Sequence, residues 1–167
     1  MTWAIRQAAP ADVPGIAALE QHAFATDCFN ARQLRYLITR AQATALVAGD
    51  AAAPLGYAVT LYRRGSACAR LYTIAVAAAA RGQGVATALV EALAVAARAR
   101  GCTALTLEVR ADNGAALELY RKLGFVEAGH LPGYYEDGAE ALRMRLELTP
   151  EVSPTSSRVE CVRIQST

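Results

Sequence analysis

Apolar residues change their spacing along this chain in a way that marks out one element after another. Trp3 to Ala8 mixes apolar with β-tolerant residues and predicts a first strand. Asp12 stands where a helix N-cap is expected, ahead of Ile16, Leu19 and Ala23 at helical spacing. Asn30 with Gln33 three positions on has the form of a capping box, and Leu34, Leu37, Ile38 and Ala41 follow on one helical face. A second helix therefore follows the first directly. Three strand-like runs come next, Ala43 to Ala48, Leu55 to Tyr62 and Ala69 to Val76, separated by turn-rich pieces. Connections that short favour an antiparallel meander.

From Gly84 to Arg100, Val85, Leu89, Leu93 and Ala96 form one apolar stripe, Thr87, Glu91 and Arg98 take the opposite side, and Gly101 closes the helix. Leu105 to Arg110 alternates strictly, so one face of this strand carries Leu105, Leu107 and Val109 and the other Thr106, Glu108 and Arg110. Asp112 or Asn113 can cap a helix from Gly114 to Leu123, closed by Gly124. Phe125 to His130 and Ala141 to Leu148 then read as a final strand pair. The order βααβββαβαββ predicts an α+β domain, a three-layer arrangement over residues 1–148. Its sheet is mixed but mostly antiparallel, with six to seven strands flanked by four helices. After Leu148 the composition shifts to Thr, Pro and Ser, so residues 149–167 read as a C-terminal tail or linker stub, with RVECVRIQ as a strand or a linker.

Composition narrows the function classes. The chain has 167 residues, long enough for one core without staples. Alanine makes up nearly a quarter of it, and all its basic residues but Lys122 are Arg, a skew that reads as compositional bias. The longest apolar run, Ile74 to Ala80, is too short to span a membrane, and the first ten residues lack a signal-peptide layout, so a cytoplasmic protein is expected. The net charge of +2 is spread along the chain, which argues against nucleic acid as a partner. Cys28, Cys68, Cys102 and Cys161 show no metal-ligand spacing and are expected to be free thiols, with no metal cofactor. Neither His22 nor His130 has a partner at a catalytic spacing.

Chemistry concentrates where Arg81-Gly82-Gln83-Gly84-Val85-Ala86-Thr87 joins a strand to the longest helix. Free amides and the positive dipole end at a helix start suit a pyrophosphate. Gly82 and Gly84 remove the Cβ atoms that would hold phosphate oxygens away, and Arg81 adds charge. A tight turn with no ligand is the other use of such a segment. It is neither a P-loop, which needs a Lys, nor a dinucleotide fingerprint, since Thr87 stands where a third glycine or alanine belongs.

Ile74-Ala75-Val76, then Arg81-x-x-Gly84-x-Ala86, then LEVRADNGAALELYRKLGF over 107–125 together resemble the GNAT N-acetyltransferase superfamily, and within it the ribosomal-protein-alanine N-acetyltransferase branch. The resemblance covers about residues 3 to 148. It implies two central strands that splay apart around acetyl-CoA, the pantetheine arm lying along the backbone of Ile74, Ala75 and Val76 like an added strand. On the same resemblance, amides of Gly82, Gln83, Gly84, Val85, Ala86 and Thr87 hold the pyrophosphate beside Arg81, and Asn113 bonds the cofactor arm. Asn113 is otherwise a helix N-cap.

Acetyl transfer needs a neutral amine, a route for its proton, and a hydrogen bond or proton for the departing thiolate. Glu108 matches the family's base; without a ligand, it would be a solvated carboxylate paired with Arg110. Tyr120 matches the family's acid, while its spacing from Ala116 and Leu123 also suits a core aromatic. Tyr134 and Tyr135, in the loop from His130 to Gly138, match the acceptor-side tyrosines, or else cover the edge of the core. The helices over 12–41 are expected to form one wall of the acceptor pocket.

The resemblance thus implies an acetyl-CoA-dependent N-acetyltransferase, a monomer or homodimer, acting on a primary amine, above all a protein or peptide N-terminal α-amine. An α-amine of pKa about 8 is roughly a tenth neutral at pH 7, whereas a lysine near 10.4 is far below one percent. A small-molecule amine, an amino acid or an antibiotic is the alternative acceptor. A non-catalytic acyl-CoA-binding module is the alternative of another class.

Overall fold

The computed structural model describes residues 3–24, 28–40 and 42–149. Seven strands form one sheet: β1 (Ile5–Gln7), β2 (Ala43–Gly49), β3 (Pro54–Tyr62), β4 (Cys68–Val76), β5 (Ala104–Arg110), β6 (Val126–Leu131) and β7 (Ala141–Glu147). They lie in the order β1-β2-β3-β4-β5-β7-β6, with every adjacent pair antiparallel except β4 and β5. Four helices, α1 (Val13–Ala23), α2 (Ala31–Thr39), α3 (Val85–Ala99) and α4 (Gly114–Lys122), complete the predicted order. The segment RVECVRIQ and Ala41 lie outside the described residues.

The alternation of the strands divides the interior in two. Leu46, Ala48, Ala58, Leu105, Leu107 and Val109 point to the face that α3 and α4 cover with Val85, Leu89, Leu93 and Leu117. Ala45, Val47, Tyr57 and Val59 point to the other face and meet Val13, Ile16 and Leu19 of α1 and Leu34 and Leu37 of α2. Strand β2 is thus apolar on both faces, because both are covered. Beyond β4 the α1–α2 layer stops, and the polar face of β5, carrying Thr106, Glu108 and Arg110, is only half-buried.

Two irregularities shape the middle of the sheet. Parallel pairing of β4 with β5 is limited to Cys68, Ala69 and Arg70 opposite Ala104, Leu105 and Thr106, after which the strands part. Against β3, Thr60 pairs with Leu71 and Val59 with Thr73, so Tyr72 is the extra residue of a β-bulge. The bulge exchanges the two faces of β4. Ala69 and Leu71 belong to the α3–α4 core, whereas past Tyr72 it is Ile74 and Val76 that pack there and Ala75 that joins the other core.

The predicted capping box at α2 is present in full, Gln33 donating its amide to Asn30 Oδ1 and Asn30 its amide to Gln33 Oε1, both at 2.9 Å. Asp12 departs from expectation. It precedes α1 but makes no side-chain cap bond to it. Its carboxylate turns back to the Ala9 amide at 2.8 Å and to the Arg6 guanidinium at 2.6 and 2.8 Å, tying β1 to the start of α1. A charged partner outcompetes a backbone amide for a carboxylate that is almost wholly buried.

The bond from Arg6 holds the Asp12 carboxyl below its ordinary pKa. A depressed folded-state pKa contributes stability above the unfolded value, near 3.9, and that contribution vanishes as pH falls through the folded value. Asp12→Asn should therefore cost about 1–3 kcal/mol at pH 7, and its deficit in unfolding midpoint should shrink below about pH 4. Midpoints of both proteins measured from pH 7 to pH 2 test this; a deficit independent of pH would contradict it.

Candidate active site

Where β4 and β5 part, two cavities open end to end. One, of about 570 Å³, is lined by Leu71, Tyr72, Thr73 and Ile74 of β4 and by Leu107, Glu108, Val109 and Arg110 of β5. Asn113, Ala116, Tyr120 and Tyr135 complete one side of it, and Glu20, Ala23 and Phe24 the other. The second, of about 430 Å³, is lined by Val76, Arg81, Gly82, Gly84, Val85, Ala86 and Thr87, with Ala115, Ala116 and Leu119 of α4. Ala116 is the one residue common to both.

The second cavity has the makings of an anion site. Gly82 and Gly84 take φ of +78° and +80°, conformations that cost other L-residues strain, and a Cβ on either would meet nothing within 4 Å. This backbone is therefore open to a ligand. The first helical bond of α3 runs from the Ala88 amide to the Gly84 carbonyl, leaving the amides of Val85, Ala86 and Thr87 free of helical acceptors at the positive end of a 15-residue helix. The Gln83 amide bonds the Ala80 carbonyl and its side chain bonds the Ala79 carbonyl, so Gln83 braces the loop. Ile74, Ala75 and Val76 pair with Ala58, Tyr57 and Gly56 on one side only, and their other edge faces the opening.

Glu108 sits on the half-buried polar face of β5 with a side chain 10% exposed. Its partner is not Arg110. Arg70 Nε donates to Oε2 at 2.9 Å, and Arg143, directly opposite on β7, donates to Oε1 at 3.3 Å. Arg110 instead bonds Asp137 at 2.7 Å and Asp112 at 3.2 Å. A carboxylate offers about four lone-pair sites, so two remain on Glu108 for a ligand or a water.

Tyr120 extends from α4 and is 7% exposed, edge-on to Phe125 at a centroid distance of 5.7 Å. It is a core aromatic that also forms part of the cavity wall. Its hydroxyl makes no hydrogen bond to a described residue. Burial, with a smaller contribution from Tyr135, pushes its pKa up to about 12. Asn113 does cap α4, accepting the Ala116 amide at 3.2 Å, and lines the first cavity as well.

Tyr134 and Tyr135 pack edge to face at 5.1 Å. Tyr135 lies under the Arg110 guanidinium at 4.9 Å and lines the cavity, while the Tyr134 hydroxyl accepts a bond from Arg70 at 3.1 Å and is partly exposed. The loop is thereby fastened to Arg70 and, through it, to Glu108.

The expected wall from the first two helices is supplied by the last turn of α1; among the described residues α2 contributes none of the lining. The lining also includes Glu20, Phe24, Tyr72 and Thr73, which local spacing does not single out, and Glu108 is gripped by Arg70 and Arg143 from outside the lining. Glu20 was the most legible of them, a carboxylate next to Leu19 and four residues after Ile16, on the apolar face of α1. Among the described residues no three His, Cys, Asp or Glu side chains come together to hold a metal ion.

Comparison with known proteins agrees with this geometry. The model of the Acetyltransferase (GNAT) family matches residues 14–125. The N-alpha-acetyltransferase MAK3 of Arabidopsis thaliana is 40% identical over 60 residues, 35% of this chain and 32% of that protein, so the match spans about a third of that relative. Among solved structures, the ribosomal-protein-S18-alanine N-acetyltransferase from Escherichia coli is 30% identical with a TM-score of 0.78, covering 89% of this chain and 95% of that one. Ard1 from Thermoplasma volcanium is 27% identical with a TM-score of 0.80, covering 89% and 99%.

Because the Tyr120 hydroxyl has no bond to lose, Tyr120→Phe should leave the unfolding midpoint within about 2 °C of the parent. Tyr120→Ala should cost about 3–5 kcal/mol by opening a cavity beside Phe125. Chemical denaturation of both variants checks the pair; a large loss in the Phe variant would reveal a hydroxyl bonded in the fold.

Proposed function

We propose that this chain, which belongs to the Acetyltransferase (GNAT) family, is an acetyl-CoA-dependent N-acetyltransferase whose acceptor is a peptide or protein N-terminal α-amine. Proteins of this family use acetyl-CoA, which supplies the acetyl thioester. The observation that carries the reading is the cleft itself, which sets a glycine-lined, amide-rich helix start beside a pocket whose lining includes the Glu108 carboxylate and the Tyr120 phenol. The residues present fit the group. Amides of the loop from Gly82 to Thr87, with Arg81, would hold the pyrophosphate; the free edge of Ile74, Ala75 and Val76 would bond the pantetheine amides; Asn113 would bond the same arm.

Glu108 is the proton acceptor in this scheme, directly or through one water, using the lone pairs that Arg70 and Arg143 leave open. As the amine nitrogen bonds the acetyl carbon and the carbon–sulfur bond breaks, the amine proton passes to Glu108 and the sulfur becomes a thiolate. Tyr120, in the wall of the same cavity, would donate a hydrogen bond to that sulfur. A phenol of pKa about 12 stays protonated across the working range but yields its proton to a thiolate of pKa near 8.5 only uphill. The hydroxyl therefore serves as a hydrogen-bond donor to the departing sulfur more than as a full proton source. Tyr134 and Tyr135 border the acceptor's path. The α-amine reading is supported by the similarity to the N-alpha-acetyltransferase MAK3 and to the ribosomal-protein-S18-alanine N-acetyltransferase.

Purified protein with acetyl-CoA and a panel of amino-terminal peptides, small amines and antibiotics, followed by thiol release and product mass, tests the proposal. Transfer to a peptide α-amine is expected. Transfer to small amines alone would move the acceptor, and binding of acetyl-CoA without transfer would favour a regulatory module.

Gly84→Asp should weaken acetyl-CoA binding at least tenfold by placing a carboxylate among the free amides. Gly65→Asp, with the same φ of +80° in a turn outside both cavities, should leave binding unchanged in calorimetry. Glu108→Gln should lower kcat by about 10²-fold or more with acetyl-CoA affinity intact. Full activity of that variant across pH would remove Glu108 from the proton path.

A further inference from the structure

Two carboxylates line the larger cavity, Glu20 and Glu108, and their electrostatic situations are opposite. Glu108 is shared by two guanidiniums, so the Arg70–Glu108–Arg143 group carries a net positive charge. It does not attract a cation. Arg110, the one basic residue among the described lining residues, is balanced by Asp112 and Asp137.

Glu20 is 1% exposed and has no ion-pair partner among the described residues. Its bonds come from neutral donors: Tyr57 Oη donates to Oε1, and the Phe29 amide donates to Oε2 at 3.2 Å. Tyr57 is in turn linked to Thr73 of β4, itself part of the cavity wall. Burial, and then Glu20 itself, raise the Tyr57 pKa above that of a free phenol, so its hydroxyl remains a donor. A buried carboxylate without a counter-charge is costly, and neutral hydrogen bonds offset only part of that cost. Such a group at the wall of a ligand cavity gains from a cation that enters it.

We propose that Glu20 is the acceptor's anionic subsite: its carboxylate receives the positive charge of the incoming ammonium at the α1 wall of the cleft. This rests on the amine-acceptor reading and deepens it, dividing the labour between two carboxylates. Glu20 binds the acceptor cation, while Glu108, already neutralised by arginine, handles the proton of the reacting amine. Tyr72, also in the cavity lining, packs against Phe29, the residue whose amide bonds Glu20, with ring centroids 5.6 Å apart. The subsite therefore places a carboxylate and the Tyr72 ring in one lining.

The test compares matched ligands by calorimetry in the presence of CoA. Short peptides beginning with Ala or Met, and the same peptides with the α-amine replaced by hydrogen, are titrated into the parent protein and into Glu20→Gln. The parent should bind the amine form at least tenfold more tightly than its desamino form, and Glu20→Gln should erase that difference while leaving the desamino affinity within twofold. Equal affinity of the two forms in the parent would overturn the proposal even if the variant failed to fold. A variant that weakens both forms alike would also overturn it, showing a structural wall only. Because binding is the readout, absence of acetyl transfer would count against the proposed reaction and leave this result standing.

Discussion

Everything at the candidate site depends on β4 and β5 ceasing to pair after Arg70 and Thr106. A central sheet normally satisfies its backbone on both sides of each strand, and leaving one edge of β4 open in the interior is unfavourable unless another donor or acceptor arrives. The fold secures this opening from both ends. At one, Arg70 is held by Glu108 and Tyr134; at the other, α4 wedges Leu117 and Tyr120 against the α3–α4 core. The bulge at Tyr72 acts in the same place, turning the last residues of β4 so that Ile74 and Val76 seat against one core and Ala75 against the other. The parted strands are thus a built feature of the sheet, held by packing on both faces.

Much of this was legible in the letters. Periodicity, with caps and turn residues, gave the order of eleven elements, because helical stripes and strict alternation reflect real burial: the Leu105, Leu107 and Val109 face is buried and the Thr106, Glu108 and Arg110 face only half-buried. The glycine loop could be placed because backbone geometry there needs glycine. Charge partners were much less legible. Which arginine meets Glu108 depends on the register of β5 with β7 and on where β4 ends, and neither can be read from local spacing. Asp12 misled for the same reason, since its partner Arg6 lies on a different element. The bulge at Tyr72 left no mark, because one extra residue in a strand of apolar and aromatic side chains preserves its composition.

The charges around the cleft are grouped by partner rather than scattered. Arg70, Glu108, Arg143 and Tyr134 form one set, Arg110, Asp112, Asp137 and Tyr135 another, and the two tyrosines touch. A loop fastened by exposed ion pairs is held weakly, since each contributes well under about 1 kcal/mol in water and is screened by salt. The side of the cleft bordered by the Tyr134–Tyr135 loop is therefore the softer one, and the amide-rich helix start, built on an α3 packed along the sheet, is the firmer.

Ala116 gives the alanine-rich composition a second meaning. Across most of α3 and the surface, alanine can stand in for many residues, and a drift of the genome toward it would leave the fold much as it is. At Ala116, the one position among the described residues that lines both cavities, the side chain is a single methyl group. A branched side chain there would take up space in both cavities at once, a cost that local helix propensity does not record.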